Sequence, residues 1–203
     1  MDIEWIDQSV ELVSTKEELE LGVKRIEKMG RICYQSHHRN KTGEVDKDFI
    51  MRMIKMGHES VLEHMSISFI FITDRITTHQ LVRHRLCSFS QESQRYCMYK
   101  DTLTCIIPET GMCCALRDHA QACFDEYLRA LDYGKMKAED ARIFLPPYTK
   151  TQIGVTANLR EWRNIFKQRL DKHAQPQIRN LMNLALDKLK ELGFGWLFSD
   201  IDK

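Results

Sequence analysis

The chain has 203 residues, a length that fits one domain with a sizeable hydrophobic core. Hydrophobic residues make up 43% and charged residues 29%, which is ordinary for a soluble globular protein. The formal net charge of +1 argues against a dedicated nucleic-acid binder, because such proteins carry a strongly basic balance. No apolar run approaches the ~20 residues that a membrane-spanning helix needs, so we expect no membrane partner.

The cysteines and the N-terminus indicate where the protein works. There are seven cysteines, an odd number, and no two have the C-x-x-C spacing. The chain opens with Asp2 and Glu4 and lacks the basic and then apolar pattern of a signal peptide. These features favour reduced thiols and a cytoplasmic location.

The first quarter of the chain predicts short strands followed by two amphipathic helices. Residues 2–13 mix apolar and polar positions, which suggests one or two strands. Ser14 or Thr15 then caps a helix, because each stands three residues before a glutamate, as in a capping box. A second helix begins at Asp46 and stops at Gly57.

The middle of the chain alternates between strand and helix patterns. Residues 65–73 are the clearest strand, rich in Ile and Phe, and residues 75–85 have helical character. Residues 95–107 predict one or two strands. Two helices follow, at residues 114–133 and 137–144.

The C-terminal part predicts two further helices, at residues 159–172 and 176–192, after an irregular or extended segment at residues 152–158. The whole pattern predicts an α/β fold in the loose sense, with a small, mostly antiparallel sheet surrounded by helices. With no repeats, low-complexity tracts or linkers, we predict a single domain spanning residues 1–203.

The segment from His58 to His64 resembles the zinc-binding pattern H-E-x-x-H but does not match it. The two histidines are six positions apart, so a helix would place them on opposite faces. They cannot ligate one metal ion from the same helix, and we predict no metal site.

Residues 83–96 carry the strongest chemical signal, a donor-rich cationic stretch beside the apolar strand. Arg83, Arg85 and Arg95 keep their charge near neutral pH, and their planar donors match phosphate oxygens. Hydroxyl donors are added by Ser88, Ser90 and Ser93. The stretch therefore predicts a site for a phosphorylated, planar ligand; the alternative is a surface charge cluster paired with acids such as Glu92.

The helix at residues 159–172 carries polar side chains on two sides, and these side chains need polar partners. On one side Arg169 falls within an apolar stripe that also contains Trp162, Ile165, Phe166 and His173. A buried guanidinium without a partner costs several kcal/mol, so Arg169 should face an acidic group or a polar ligand. The opposite side carries Arg160, Asn164 and Lys167. Such a helix is best placed between two ligands or two subunits.

The sequence contains no known motif for a catalytic nucleophile or for a phosphate-binding glycine loop. The chain has no G-x-S-x-G elbow, Rossmann glycine fingerprint or P-loop, so side chains rather than a glycine loop would hold phosphates. Cys87 lies close to Arg85, which would lower the pKa of its thiol. Arg142 precedes an apolar segment that ends in two prolines and could face a cleft.

Several of these segments resemble the flavin-dependent thymidylate synthases. Arg83-His84-Arg85, seven residues and then Ser93 is similar to that family's R-H-R-x7-S pattern. The resemblance extends from about Cys33 to most of the remaining chain. Further matching segments are Gly57-His58-Glu59-Ser60, Gln80, Ala141-Arg142-Ile143-Phe144-Leu145-Pro146, Asn158-Leu159-Arg160, Asn164, Arg169 and His173-Ala174-Gln175.

This resemblance implies a homotetramer with active sites shared between subunits. The implied reaction converts dUMP to dTMP, with methylenetetrahydrofolate as one-carbon donor, FAD as hydride donor and NADPH as the reductant of FAD. Flavin contacts are implied for Ser60, Arg83, His84, Arg85, Gln91, Asn158, Arg160 and Asn164. Contacts to dUMP are implied for Gln80, Arg83, Gln91, Glu92, Ser93, Gln94, Arg95, Arg142 and Arg169. Arg169 is the implied catalytic residue, which polarises the uracil ring by favouring its ionised N3.

Three questions stay open at this stage. Many family members carry Glu where this chain has Gln91, with an acid here at Glu92, so either residue could contact flavin or dUMP. Another FAD-dependent oxidoreductase acting on a planar substrate is one alternative function. A nucleic-acid-binding module, with Phe89 and Tyr96 stacking on bases, is the other.

Overall fold

A four-stranded antiparallel sheet forms the centre of the computed structural model, which describes residues 2–40 and 43–201. The strands within these residues are β1 Asp2–Ile6, β2 Ser9–Leu12, β3 Ser66–Asp74, β4 Cys87–Gln91, β5 Thr102–Ile106 and β6 Lys150–Asn158. The α-helices are α1 Lys16–Cys33, α2 Lys47–Lys55, α3 Arg75–Leu81, α4 Cys114–Asp132, α5 Ala138–Ala141, α6 Leu159–Arg169 and α7 Pro176–Glu191. Short 3₁₀ helices span His37–Arg39, Glu59–His64, Arg142–Phe144 and Gly195–Phe198.

The sheet has the strand order β2-β3-β6-β4, and all its pairs are antiparallel. β3 and β6 pair along their whole length, from Ser66 opposite Asn158 to Asp74 opposite Lys150. β1 and β5 form a separate parallel pair. This arrangement confirms the predicted α/β class with a small, mostly antiparallel sheet among helices.

The main core lies between this sheet and the helices α1, α6 and α7. β3 alternates buried Ile67, Phe69 and Phe71 with partly exposed positions, as a strand with one face on a core does. The Trp162 ring packs edge-on against Phe69, and its indole N–H donates to the carbonyl of Ile67 at 2.9 Å. The contact fixes α6 across β3, and so it fixes the position of every polar side chain that α6 carries.

Helix starts follow the predicted capping chemistry. Thr15, rather than Ser14, caps α1: its hydroxyl accepts from Glu18 N–H, and the Glu18 carboxylate accepts from Thr15 N–H. Asp46 caps α2 by accepting from the backbone N–H of Phe49. Gly57 follows the end of α2 with φ of +75°, a left-handed conformation that favours glycine.

Several predicted boundaries were wrong. Residues 95–101 are irregular, with a turn at 94–96, and only Thr102–Ile106 is a strand. The predicted helix at residues 75–85 ends at Leu81, and the chain then returns as the edge strand β4. α6 ends at Arg169, and the predicted helix at residues 137–144 is one α-helical turn followed by a 3₁₀ turn.

The segment left as irregular or extended is the strand β6, in the middle of the sheet. Its Ile153 and Val155 are buried, whereas Gly154, Ala157 and Asn158 weaken the strand signal in the sequence, because these residue types are depleted in strands. Pairing with β3 on one side and β4 on the other makes it a strand. Among the described residues, no helix is both long enough and apolar enough to cross a membrane. All seven cysteines are free thiols.

Candidate active site

The junction between β6 and α6 builds the first part of the site. Asn158 ends β6 and caps α6, because its side-chain oxygen accepts from the backbone N–H of Glu161 at 2.9 Å. Three apolar side chains of the α6 stripe, Trp162, Ile165 and Phe166, are completely buried. Consequently the polar face of the helix is oriented outward, above the strand end where Asn158 is fixed.

A cavity of about 520 Å³ lies over this polar face. Asn158, Arg160 and Asn164, three of the predicted flavin contacts, all line it. Its other lining residues are Glu59, Glu63, Leu86, Glu161 and Lys167. Arg160 pairs with Glu63 at 2.6 Å, so the cavity rim carries both signs of charge.

Arg169 lies at the other end of α6, where it contacts α3 and the segment that follows α3. Its Nε donates to His84 Nε2 at 3.0 Å, and one terminal nitrogen donates to the carbonyl of Gln80 at 2.9 Å. Burial lowers the pKa of Arg169. Among the described residues no carboxylate pairs with this guanidinium, so the structural salt bridge weighed from the sequence does not form. His173, assigned to the same stripe, lies beyond the helix and is exposed.

His84 connects the two ends of α6. Its ring is buried, and Nδ1 lies 3.4 Å from a carboxylate oxygen of Glu161. Burial and the charge of Arg169 lower the pKa of His84, although Glu161 acts in the opposite direction. The Glu161 carboxylate also accepts from the side-chain amide of Asn164 at 3.3 Å. A continuous polar network therefore runs from the cavity to Arg169.

Gln91, the last residue of the edge strand β4, and Glu92, which follows it, lie in different surroundings. Gln91 donates to the hydroxyls of Thr78 and Thr151, both at 3.2 Å. Glu92 pairs with Lys150 at 2.7 Å and accepts from the Tyr99 hydroxyl at 2.8 Å. Burial and Glu92 raise the pKa of that hydroxyl. Within this chain, Glu92 is occupied by structural partners, whereas Gln91 lies beside α3.

Ser93, Gln94 and Arg95 lie in the turn that follows β4. The Ser93 hydroxyl accepts from the backbone N–H of Arg95 at 3.3 Å. Arg95 donates to Glu139 of α5, and Gln94 is partly buried. These residues border the segment that carries Arg142 rather than the cavity over α6.

Four predicted residues remain, and all of them are exposed: Ser60, Arg83, Arg85 and Arg142. Ser60 lies on the exposed side of the Glu59–His64 turn. Among the described residues, Arg83, Arg85 and Arg142 have neither a hydrogen bond nor an ion pair from their side chains. Three guanidinium groups are thus available to an anionic ligand or to another chain.

The structure therefore brings the predicted residues together in two groups. One comprises the cavity over α6 with His84, Gln80 and Arg169, and the other comprises residues 92–95 with Arg142. No hydrogen bond or ion pair of the described residues joins Arg142 to Arg169. A ligand that contacts both arginines would have to bridge the two groups.

The sequence-based search missed Glu161, the most connected acid of the first group. The signal was present, because Glu161 precedes Trp162 on the inward side of α6 and stands three residues after the cap Asn158. Gln175, which accepts from the Gln80 amide, was also missed as a separate contact. The prediction of a lowered pKa at Cys87 was wrong: burial, with the charge of Glu161, raises it to about 12.

Comparisons with a family model and with curated proteins both match this chain to a single family of enzymes. The family model described as "Thymidylate synthase complementing protein" matches residues 15–192. Curated flavin-dependent thymidylate synthases from Mycobacterium bovis and Mycobacterium avium are 36% and 35% identical, each alignment covering 84% of this chain and 75% or 76% of the relative.

Solved structures of similar fold span almost the whole chain. Thymidylate synthase X from Helicobacter pylori with FAD and dUMP superposes with a TM-score of 0.77 at 21% identity, covering 97% of this chain and 99% of that one. The UMP/dUMP methylase PolB from Streptomyces cacaoi, bound with 5-Br dUMP, gives a TM-score of 0.77 at 23% identity, covering 97% of both chains. At these identities the likeness concerns the fold.

Proposed function

The chain belongs to the flavin-dependent thymidylate synthase family, and we propose that it methylates dUMP to dTMP. Methylenetetrahydrofolate is the one-carbon donor, and FAD reduced by NADPH is the redox cofactor. The observation that carries the proposal is Arg169, a half-buried guanidinium held by His84 and the Gln80 carbonyl, with no carboxylate among the described residues to neutralise it. Its free terminal N–H groups are a ready electrostatic site for a pyrimidine that must be activated.

The donor set around α6 fits a flavin dinucleotide. Amide groups of Asn158 and Asn164 border the cavity, and Leu86 adds an apolar surface that is 74% exposed. The unpaired Arg83 and Arg85 suit a pyrophosphate, since guanidinium donors match phosphate oxygens. Remaining contacts are assigned to Ser60, His84, Gln91 and Arg160. When bound, reduced FAD supplies the hydride that completes the new methyl group.

The nucleotide would be held by the two groups of residues together. Arg142, exposed and unpaired, suits the phosphate, and Arg169 suits the ring. We assign Arg169 the catalytic role of stabilising the ionised N3, which makes C5 of the uracil more nucleophilic. Further contacts to dUMP are assigned to Gln80, Arg83, Gln91, Glu92, Ser93, Gln94 and Arg95.

Activation by charge rather than by a protein nucleophile agrees with the chain's own chemistry. Burial and the charge of Glu161 raise the pKa of the Cys87 thiol to about 12, so this thiol is protonated at neutral pH. The Ser93 hydroxyl accepts a backbone N–H of its own turn, an orienting contact. The protein therefore binds, orients and polarises, and the cofactor carries the redox step.

We further propose a homotetramer in which each active site is shared between subunits, working in the cytoplasm as a single domain of residues 1–203. Arg142 and Arg169 are not joined within one chain, and exposed apolar side chains flank both groups. Leu86 lies beside the cavity, and Ile143, 78% exposed, follows Arg142. Burying these side chains between subunits would bring the two groups into one site.

The experiment that tests the function measures tritium release from dUMP labelled at uracil C5. We expect release that depends on FAD, NADPH and methylenetetrahydrofolate, with UMP as the comparison substrate. A yellow protein that releases no tritium indicates another flavin oxidoreductase. A colourless protein with salt-dependent affinity for polynucleotide indicates the nucleic-acid-binding alternative.

A further inference from the structure

The proton positions on His84 follow from its neighbours. Arginine side chains are donors only, so Nε2 of His84 must carry a lone pair to accept from Arg169 Nε at 3.0 Å. A neutral imidazole with a lone pair on Nε2 carries its proton on Nδ1. The Glu161 carboxylate lies 3.4 Å from Nδ1, a charge contact slightly longer than an ordinary hydrogen bond. The contact with Arg169 thus requires one tautomer, and the negative charge of Glu161 favours the proton on Nδ1.

Within the described part of the chain, His84 is the only basic side chain within ion-pair distance of Glu161. Its carboxylate is buried, with 6% of the residue exposed, and no Lys or Arg among the described residues forms an ion pair with it. Both of its oxygens face the side-chain amide of Asn164. Burying a carboxylate is costly unless it is hydrogen-bonded, so a buried acid that contacts one histidine and one amide needs a reason.

We propose that Glu161 is a positioning residue that acts through His84 to fix the direction of the Arg169 guanidinium. This inference rests on the proposed function, in which Arg169 activates the pyrimidine. The chain of contacts is Glu161 to His84 to Arg169, with the Gln80 carbonyl holding the second nitrogen of the guanidinium. Two fixed nitrogens define the plane of the group, and the remaining N–H groups keep one orientation for the ligand.

Two substitutions at Glu161 separate hydrogen bonding from simple packing. In Glu161→Gln the amide oxygen can still accept from Nδ1–H, so dUMP affinity should stay within about threefold of wild type. Glu161→Met has similar volume but no acceptor, and we expect dUMP affinity to fall about tenfold and turnover about a hundredfold, because the guanidinium loses its orientation. Equal losses in the two variants would overturn the proposal.

A double-mutant cycle then tests whether Glu161 acts through Arg169. The dissociation constant for dUMP is measured for wild type, Glu161→Met, Arg169→Ala and the double variant, all loaded with FAD. The relay predicts that Glu161→Met has no further effect once Arg169 is replaced. Additive losses of affinity would show that Glu161 acts elsewhere.

If Glu161→Met does not fold, substitutions of His84 carry the test. In His84→Gln the carbonyl oxygen can accept from Arg169 and the amide can donate to Glu161, whereas His84→Leu can do neither. We expect His84→Gln to bind dUMP about tenfold more tightly than His84→Leu. Identical affinities would reject the relay.

The matched control is Glu27→Gln, which changes another buried carboxylate, 5% exposed and paired with Arg31 at 2.6 Å. It should lower the melting temperature without changing the dUMP affinity of the folded enzyme. Wild-type turnover distinguishes the two levels of inference. Absence of tritium release rejects the proposed function and the relay with it, whereas normal release with additive losses rejects the relay alone.

Discussion

At the scale of single residues, Arg169 stands out because hydrogen bonds fix its guanidinium, whereas no carboxylate among the described residues pairs with it. Its two fixed nitrogens contact an imidazole and a backbone carbonyl, which are both uncharged acceptors. The most buried arginine of the same helix, Arg163, instead forms a bidentate pair with Asp200 at 2.9 and 2.7 Å. The comparison separates the two roles: Arg163 is neutralised within the fold, whereas Arg169 keeps its positive field for a ligand.

Replacing Arg169 tests this assignment directly. Arg169→Ala should abolish turnover and weaken dUMP binding about tenfold or more, because a charged hydrogen-bond donor to the ligand is lost. FAD should be largely retained, since the α6 cavity is unchanged. Tritium release, equilibrium binding of dUMP and flavin absorbance are the measurements, with the exposed Arg129→Ala as control. Unimpaired turnover in Arg169→Ala would reject the assignment.

Ser93 offers a second residue-level prediction. Because its hydroxyl accepts a backbone N–H and no imidazole or carboxylate contacts it among the described residues, we read it as a binding group. Ser93→Ala should keep measurable turnover, with the loss of activity explained by weaker binding of dUMP or FAD. A variant with normal affinity for both and no turnover would indicate a direct chemical role.

At the scale of elements, the end of the edge strand β4 places a structural ion pair at Glu92 directly after a hydrogen-bonded amide at Gln91. Glu92 and Lys150 form a partly buried pair, with 17% and 26% of their side chains exposed. Gln91, one residue earlier, donates to the hydroxyls of Thr78 and Thr151. Glu92 directly follows β4, and its backbone N–H still donates to the Gln152 carbonyl of β6, so the two neighbouring side chains point to opposite faces.

Substitutions at these neighbours should therefore differ. Glu92→Gln removes the charge that pairs with Lys150 and should lower the free energy of unfolding by about 1 kcal/mol, measured by urea denaturation. Gln91→Glu should change it by less than about 0.5 kcal/mol, because the Thr151 hydroxyl can donate to a carboxylate while the Thr78 hydroxyl keeps its bond to the Arg75 carbonyl. A larger loss for Gln91→Glu than for Glu92→Gln would contradict this reading of β4.

At the scale of the whole molecule, polar contacts of α6 bind the C-terminal segment, residues 195–201, to the core. Arg163, 1% exposed at its side chain, contacts Asp200 and the Leu197 carbonyl. Burial raises the pKa of Asp200, but its hydrogen bond and charge contact with Arg163 outweigh burial, so the pKa lies below the ordinary value of 3.8. An acid with a depressed pKa stabilises the fold above that ordinary value and loses this contribution as the pH falls through its folded pKa.

The contribution of the Arg163–Asp200 pair to stability should thus decrease as the pH falls. Asp200→Asn should lower the melting temperature at pH 7, and the difference from wild type should shrink as the pH falls below 3.8. Thermal unfolding followed by circular dichroism at pH 7 and at about pH 3 gives the comparison. The exposed Glu126→Gln is the control and should have little effect at either pH. A difference that grows on acidification would contradict the pairing.

The sequence by itself determined the class of fold, the family and most of the candidate site. Caps such as Thr15 and Asp46 were readable because capping depends on residues three positions apart. The stripe of α6 was readable because helical period sets which side chains are buried. The R-H-R-x7-S pattern was readable because its residues are close in sequence. Local spacing decides all of these features.

Only the tertiary structure decided which partners these residues meet. β6 became the middle of the sheet through pairing with two distant strands, although its own residues favour a strand weakly. His84 meets Glu161 and Arg169 across separations of 77 and 85 positions, and burial there raises the Cys87 pKa that proximity to Arg85 alone would lower. Long-range contacts set burial, and burial sets the electrostatics of the site.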